Sequence, residues 1–520
     1  MYWALAILTG LALSLWVSRE VYIWHVYMDV PCPFSNSLSC NWTLATKGYR
    51  GTLFEWQKML HEKYGPLVRI GPYHVLTNDP AVYRRVNSVR SNYFKSVWYN
   101  VLARFTKGQD NLVSMGGRSN MARHRELHSL LGPSFSGKEN TSPTQEEAVD
   151  KQIAALINLL ATKYVQATPS ESFRPCDFSA IGQYFTLDVI SSIVWSQPFG
   201  FLADADVGSY IHTLDGFLPI RGVIGSLTIL PWLKPLIYAN LPTPGDEFGI
   251  GRLQGMAKRC VEERLLQAAK EAEGKADDHL PRDMLASFMS KGLEGQELLN
   301  QVFLSIVAGS DTVGTTLRLA MAFLVVTPAA YHRLCREIAD GIISGRVSSP
   351  VVRDSECRAM PYLQAVIKET LRLFPVPGEL YKEVPPEGDT VEGHWLPPGT
   401  WLGVNLGSMM VRPDVWGHDA EIFRPERWLE AAAEDDGGER YRAMIAVWDL
   451  GFGAGKSQCL GKPVALFELG KVIVELLRHF DFAAVHPHQP LSVKAFALYL
   501  IRDQLLRVTK KEPDWVTRGW

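Results

Sequence analysis

The chain has 520 residues, 47% of them hydrophobic, and a formal net charge of −2. A chain of this length can bury a large core, and its near-neutral balance excludes a nucleic-acid binder that relies on a basic excess to meet phosphates. The seven cysteines (32, 40, 176, 260, 335, 357 and 459) form no CxxC pair, so neither a zinc site nor a disulfide framework is indicated and a reducing compartment fits.

Tyr2 to Val17 is an uncharged, mostly apolar run, followed by Ser18-Arg19-Glu20 and a second apolar run to Met28. The first run is slightly short of the ~20 residues of a spanning helix. A secretory signal is the alternative, but a basic n-region and a small-residue cleavage site are both missing. Residues 1–30 are therefore expected to form an N-terminal membrane anchor, with Pro31 and Pro33 as a stiff hinge. Residues 31–520 are expected to form one large domain. Leu67 to Ile70, set between Gly-Pro pairs, suggests a β-hairpin near residues 66–77. From about residue 120 the pattern is mostly helical. Polar stretches at Gly137–Glu147, Lys270–Arg282 and Ala431–Glu439 read as surface loops. Strand-like pieces return at Thr390–Trp395 and Trp401–Leu406. The fold class is mainly α with a minor β component.

Four patterns carry chemistry. Leu298 to Val326 is a long apolar helix with Ala308-Gly309-Ser310-Asp311-Thr312 at its middle. An acid and a hydroxyl in so apolar a run need partners, and a mid-helix glycine costs about 1 kcal/mol relative to alanine. The expectation is a local opening of the helix at Gly309, leaving Thr312 free to bond a ligand rather than its own backbone. Next, Glu369-Thr370-Leu371-Arg372 puts Glu369 and Arg372 on one face of a helix opened by Pro361. Phe423-Arg424-Pro425-Glu426-Arg427-Trp428 offers a second guanidinium, Arg427, to that pair. Finally, Phe452-Gly453-Ala454-Gly455-Lys456-Ser457-Gln458-Cys459-Leu460-Gly461 precedes a helical run from Lys462 to Arg478. Such a loop presents a single sulfur to a flat ligand: Gly455 permits the tight turn and Gly461 a close backbone approach. Loop N–H groups and the helix N-terminus favour the thiolate. Gly455-Lys456-Ser457 looks like the tail of a phosphate-binding loop, but Leu450 stands where that motif needs glycine.

The order AGSDT, ExxR, FRPERW and FxxGxxxCxG, with Cys459 ninety residues after Glu369, resembles the cytochrome P-450 superfamily. Several segments are similar to fungal microsomal members, the pisatin-demethylase-like group included. The resemblance implies a cytochrome P-450-like haem domain over 31–520 that binds haem b, with Cys459 as the proximal thiolate on iron. Phe452, Gly453 and Gly461 would shape its loop. Asp311 and Thr312 would deliver protons to dioxygen, and Glu369, Arg372 and Arg427 would form a structural ion cluster. Where the family usually places Arg or His two residues before the cysteine, this chain has Ser457. Where it usually places Trp and Arg on an earlier helix, this chain has His124 and His128. Propionate contacts are thus expected from His124, His128, Lys382 and Lys456. A histidine serves there only when protonated or donating an N–H.

The resemblance further implies a pocket lined from 93–113, 303–308, 375–380 and 498–501, with Phe303, Ile306, Val307, Ala308, Val376, Leu380 and Leu500 as apolar contacts. Glu379 could recognise a basic nitrogen or a hydroxyl, or make an outward salt bridge. The implied activity is a monooxygenase inserting one oxygen atom of O2 into a lipophilic small molecule, in fungal secondary metabolism. Electrons would come from a separate NADPH-dependent flavoprotein reductase. The body would lie on the cytosolic side of the endoplasmic reticulum membrane. A haem-thiolate isomerase or dehydratase and a non-catalytic haem-binding protein are the alternatives, and neither needs the Asp311–Thr312 pair.

Overall fold

A computed structural model of the chain describes residues 2–33, 42–102, 110–136, 142–166, 173–227, 234–273, 281–375, 378–434, 437–496, 498–512 and 514–517. The elements that build the site are numbered here in chain order. The apolar run around Asp311 folds as α5 (Gly295–Val326), whose side chains are buried along most of its length. An apolar circumference of this kind places a helix in the core. Pro328 ends it, because the residue before proline is pushed out of the α region: Thr327 has φ −122° and ψ 77°.

Helix α3 (Phe178–Trp195) crosses α5 closely. A Cβ on Gly309 would lie 2.7 Å from Ile190, and one on Gly314 would lie 2.8 Å from both Gln183 Oε1 and Thr186 Oγ1. Gly309 therefore serves this helix contact. The expected opening of the helix is not found, and α5 runs unbroken. Helix α2 (Met121–Phe135) lies at the front of α5, tied to it by Arg123–Glu297 at 2.6 Å. Helix α4 (Tyr210–Leu227) packs on Trp42–Arg50, where Gly48 and Gly222 meet backbone to backbone. Helices α6 (Pro361–Leu373), α7 (Glu426–Ala433) and α8 (Lys462–His479) complete the core around the cysteine.

The principal sheet has five short strands: β1 (Leu67–Arg69), β2 (His74–Thr77), β3 (Phe94–Lys95), β4 (Lys382–Glu383) and β5 (Trp401–Val404). Their order is β1-β2-β5-β4-β3. The expected hairpin is β1–β2, in register Leu67↔Thr77. The strand-like pieces fall in β5 and in a separate ribbon, Asp389–Val391 with His394–Leu396. Strands β6 (Ser492–Ala495) and β7 (Tyr499–Arg502) form a hairpin.

Several expectations need correction. Helix α1 (Tyr2–Val26) forms, but among the described residues no single helix is long and apolar enough to cross a membrane. Arg19 and Glu20 interrupt the apolar run. Beyond them Ile23 and Tyr27 are buried in the body, and Arg19 reaches the Tyr73 hydroxyl at 3.2 Å. Pro31 does not act as a hinge: its carbonyl accepts the Arg69 N–H at 2.8 Å, so the segment is pinned along β1. In the polar stretch 137–147 a helix starts at Ser142, because a serine followed by proline is a good helix opening. Helices also run into the other two stretches, as far as Ala272 and Ala433. The six described cysteines are free.

Candidate active site

The cysteine loop is built from two short 3-10 turns, Asp449–Phe452 and Gly455–Ser457. The Cys459 N–H donates to the Phe452 carbonyl at 2.7 Å, which folds the loop back on itself. Gly453 (φ 80°) and Gly455 (φ 51°) are required: a Cβ on the first would sit 2.4 Å from the Ser457 carbonyl oxygen, and one on the second 2.3 Å from that of Asn87. The Cys459 side chain opens into a cavity of about 400 Å³ bounded by α5 on the far side. Burial pushes its thiol up. Backbone N–H groups of Gly461 and Lys462, and the Lys462 ammonium, pull the other way. The loop N–H groups thus act in the direction the sequence suggested, and a bound metal cation would favour the thiolate further. The Lys462 ammonium lies over the Trp448 and Phe452 rings, 5.3 and 5.4 Å from their centroids.

One wall of the cavity collects cations. Lys95 on β3 and Lys382 on β4 face each other across an antiparallel pair, a placement that is destabilising for like charges. Lys95 Nζ donates to the Leu112 and Val113 carbonyls at 3.2 and 3.1 Å. Lys382 Nζ donates to Ser457 Oγ at 2.6 Å, so the serine is part of this wall. His124 is buried beside them. Burial first, and then the neighbouring cations, lower its pKa to about 3, so it is neutral and could meet a propionate only through its N–H. Burial lowers Lys95 to about 7. Burial and the Lys95 and Lys456 charges push Lys382 well down. No carboxylate figures among the groups acting on any of the three. His128 Nε2 donates to the Gln458 carbonyl at 2.9 Å, so α2 holds the cysteine loop directly. Lys456 does not line the cavity; its ammonium binds the carbonyls of Ser91, at 2.9 Å, and Tyr93.

These features fit haem b. A single sulfur faces an apolar slot. Gly461 leaves open the space beside it, where a Cβ would meet only Sγ at 3.9 Å. Among the described residues Lys95 and Lys382 have no acidic partner, a donor set that suits two propionates.

Across the cavity, Thr312 Oγ1 donates to the Ala308 carbonyl at 2.8 Å, so the hydroxyl bonds its own helix, contrary to expectation. This back-bond to i−4 is the ordinary satisfaction of a threonine inside an apolar helix. Asp311 Oδ1 accepts from Gln183 Nε2, while Oδ2 is buried without a partner among the described residues. Burial raises the Asp311 pKa to about 6, opposed by Arg318 and by the Gln183 bond. Arg318 Nη2 in turn donates to Gln183 Oε1 at 2.8 Å, which fixes the amide's orientation.

Glu369, Arg372 and Arg427 meet at zero solvent exposure. Arg372 grips Glu369 with two bonds, at 2.9 and 2.8 Å, and Arg427 Nε adds a third at 2.8 Å. Trp428 Nε1 adds a fourth at 2.9 Å. The remaining guanidinium N–H groups reach the Met410, Ala420, Trp416 and Ile422 carbonyls, among others. From this cluster Trp428, Trp448 and Phe452 run in edge contact to the cysteine loop, at centroid separations of 6.3 and 5.4 Å.

The anticipated pocket segments contribute, with corrections of phase. Ala308 and Leu380 line the cavity, but Phe303, Ile306, Val307 and Leu500 do not. At 100° per residue the cavity face of α5 is Gln301, Leu304, Ser305, Ala308, Thr312 and Thr315. Phe303 and Ile306 instead point into the packed interior. Leu498 and Tyr499 take the place expected of Leu500. Val376 lies outside the described residues. Glu379 makes no salt bridge among the described residues and does not line the cavity; it is buried and accepts from Gln57 Nε2 at 2.7 Å. Sequence reasoning placed Lys95 inside the 93–113 pocket segment without giving it a role, and it missed Gln301, Gln183 and Glu468. Glu468 lies on α8 at the cavity wall, where burial pushes its carboxyl well up.

A lone cysteine under an apolar slot, a cationic wall and a buried Glu–Arg–Arg cluster define a haem-thiolate protein. A family model described as Cytochrome P450 matches residues 31–506. The chain is 38% identical over 490 residues to "Cytochrome P450 monooxygenase ABA1" of Pyricularia oryzae, which covers 92% of each protein. It is 32% identical to "Cytochrome P450 monooxygenase aba1" of Botryotinia fuckeliana, over 93% of this chain and 92% of that one. It is 29% identical to "Cytochrome P450 monooxygenase gsfF" of Penicillium aethiopicum, over 89% of each. The chain belongs to the cytochrome P450 family, whose members bind haem b through a cysteine thiolate, and it is an oxidoreductase of the monooxygenase type.

Proposed function

We propose that this P450 inserts one oxygen atom of O2 into a lipophilic small molecule of fungal secondary metabolism, with electrons from NADPH through a separate flavoprotein reductase. The observation that carries the reading is the sharing of one apolar-walled cavity by Cys459 and the Asp311–Thr312 pair. Haem b, held by Cys459, supplies the dioxygen chemistry when bound. The chain's own groups do the rest. Lys95, Lys382 and the His124 N–H hold the propionates. Phe452 and the N–H groups of Gly461 and Lys462 moderate the sulfur's donor strength. Thr312 hands a proton into the cavity and recovers it from Asp311, whose pKa of about 6 lets it give and take protons near neutrality. The apolar remainder of the wall excludes water. Isomerase or dehydratase chemistry and passive haem binding leave Asp311 and Thr312 without a task.

The exposed Tyr2, Trp3, Ile7, Leu11 and Leu15 of α1 support seating of the body on the cytosolic face of the endoplasmic reticulum. The first experiment is the reduced carbon-monoxide difference spectrum of the wild type and of Cys459→Ala, followed by NADPH consumption with an added P450 reductase. A thiolate-type red-shifted band present only in the wild type, with O2-dependent NADPH oxidation, supports the reading. A histidine-type band, or turnover that needs no O2, sinks it.

A further inference from the structure

One residue of the cavity wall has a backbone conformation that its side chain disfavours. Among the described residues six non-glycine positions have positive φ: Ser196, Ala205, Ser209, Leu380, Glu392 and Asp503. Five of these carry short or acidic side chains, and none of the five lines the cavity. The sixth, Leu380, lines it and has φ 47°. A bulky side chain in this left-handed region crowds the following carbonyl oxygen.

The sheet holds that bend from both sides. The Val404 N–H donates to the Glu379 carbonyl at 2.7 Å, and the Ser96 N–H to the Tyr381 carbonyl at 3.2 Å. Glu379 is tied again through its carboxyl, which accepts from Gln57. Lys382 is fixed in β4, between Lys95 and Leu402 of the neighbouring strands. On β5, Gly403 comes so close that a Cβ there would lie 2.7 Å from the Glu379 carbonyl oxygen and 2.8 Å from the Tyr381 ring. Strain of this kind persists only where the surroundings over-determine it, and it gathers at ligand-handling sites.

The strain does not serve the core. Leu380 is half-exposed and lines the cavity, so it keeps surface that a ligand can touch. Behind it are two apolar clusters, one containing Leu406 and Leu450 beside the cysteine loop, the other Trp98 and Tyr381 of the sheet. Glu379 and Tyr381 line a second, smaller cavity, whereas Leu380 and Lys382 share the face towards the main one. On the α5 side the accessible lining is small: Ala308 is exposed, Gly309 and Thr312 are half-exposed, and the other lining residues of that helix are buried. The helix withdraws from the cavity where the strained leucine is pushed into it.

We infer that Leu380 is a specificity-determining residue: its left-handed backbone drives the side chain into the cavity as a wedge that admits slender or flat lipophilic skeletons and turns away branched or globular ones. The inference rests on the haem-thiolate monooxygenase reading above. Truncating the side chain widens the cavity. Removing Cβ as well also frees the backbone, because glycine adopts this conformation without steric cost.

The test uses the haem-loaded full chain and two azoles that ligate iron through an imidazole nitrogen, slender 4-phenylimidazole and globular clotrimazole, titrated by the Soret difference spectrum. In Leu380→Gly and Leu380→Ala alike, the ratio of the two dissociation constants is expected to move about tenfold in favour of clotrimazole, the relief of one overpacked contact. Leu380→Phe moves it the other way. Urea unfolding of the same variants reads the strain: Leu380→Gly should be at least as stable as Leu380→Ala, the reverse of the order at an unstrained position. An unchanged ratio in both small variants overturns the assignment. Faster haem transfer to apomyoglobin with the ratio unchanged also overturns it, since Leu380 then seats the cofactor and not the substrate. Leu380→Ala proving the more stable of the two overturns the strained wedge. Should Leu380→Gly fail to load haem, Leu380→Ala supplies the ratio. A wild type without a thiolate band sinks the monooxygenase reading itself, an outcome distinct from failure of the Leu380 assignment alone.

Discussion

Two sets of buried charges lie on either side of the cysteine loop, and they are built on opposite terms. In the Glu369–Arg372–Arg427 cluster each charge is met within the polypeptide, by the opposite charge and by a row of carbonyls. In the Lys95–Lys382–His124 wall, cations face cations, and burial and mutual repulsion both act against their charge. A satisfied cluster is part of the scaffold. A cluster of one sign is half of an interaction, and the proposed other half is the pair of haem propionates.

The contrast can be broken at either end. Cys459→Ala should have the largest effect, removing the thiolate band of the carbon-monoxide difference spectrum outright. Arg427→Ala should leave Glu369 with an incomplete set of partners in a dry site and cost about 3–5 kcal/mol, measured by urea unfolding of the haem-free and haem-loaded forms alike. Thr312→Ala should leave haem binding intact but divert NADPH to hydrogen peroxide. Product per NADPH is expected to fall by up to about a hundredfold, the low end for a positioned proton donor; unchanged coupling removes the hydroxyl from the proton path.

Lys95→Met should show two opposite signs. Haem transfer to an acceptor protein such as apomyoglobin should speed up by about tenfold, the loss of one charge-assisted bond. The haem-free fold should meanwhile become more stable. The pH dependence sharpens this. Burial lowers the Lys95 pKa to about 7 in the folded protein from the ordinary 10.5, so between those values the unfolded chain binds more protons and stability rises with pH. The haem-free wild type should thus gain stability as pH climbs from about 7 towards 10, and Lys95→Met should flatten that rise. A flat wild-type profile would mean Lys95 is not penalised by burial.

How much of this was legible in the sequence depended on how many residues carried each signal. The α5 helix announced itself through a mostly apolar run of 29 residues, Leu298 to Val326, and β1–β2 through Gly-Pro pairs on both sides of an alternating run. Pro361 marked the start of α6. The positions of Cys459, Glu369, Arg372 and Arg427 along the chain were readable because four patterns occur in order. Lys95 was not, since β3 is only two residues long and has no period to detect. The facing of Lys95 and Lys382 is a fact of register between strands nearly three hundred residues apart. The resemblance implied Phe303, Ile306 and Val307 as pocket residues. The helical phase, which a run apolar on every side conceals, turns Gln301 and Ser305 to the cavity instead. Gly309 was read as a weak point in a helix because the residue it accommodates, Ile190, lies on another helix.

The bonds from Lys456 to the carbonyls of Ser91 and Tyr93 span more than 360 positions of the chain. A polypeptide made from its N-terminus at about 5–20 residues per second waits roughly 20 to 70 s between exposing one side of that contact and exposing the other. For that interval the strand bearing Lys95 lacks the cysteine loop, and for most of it Lys382 as well. The cofactor wall is thus completed only once the cysteine loop has been made, late in synthesis. Truncations that remove only the final quarter of the chain should leave nascent products whose N-terminal sheet stays open to chaperones and proteases.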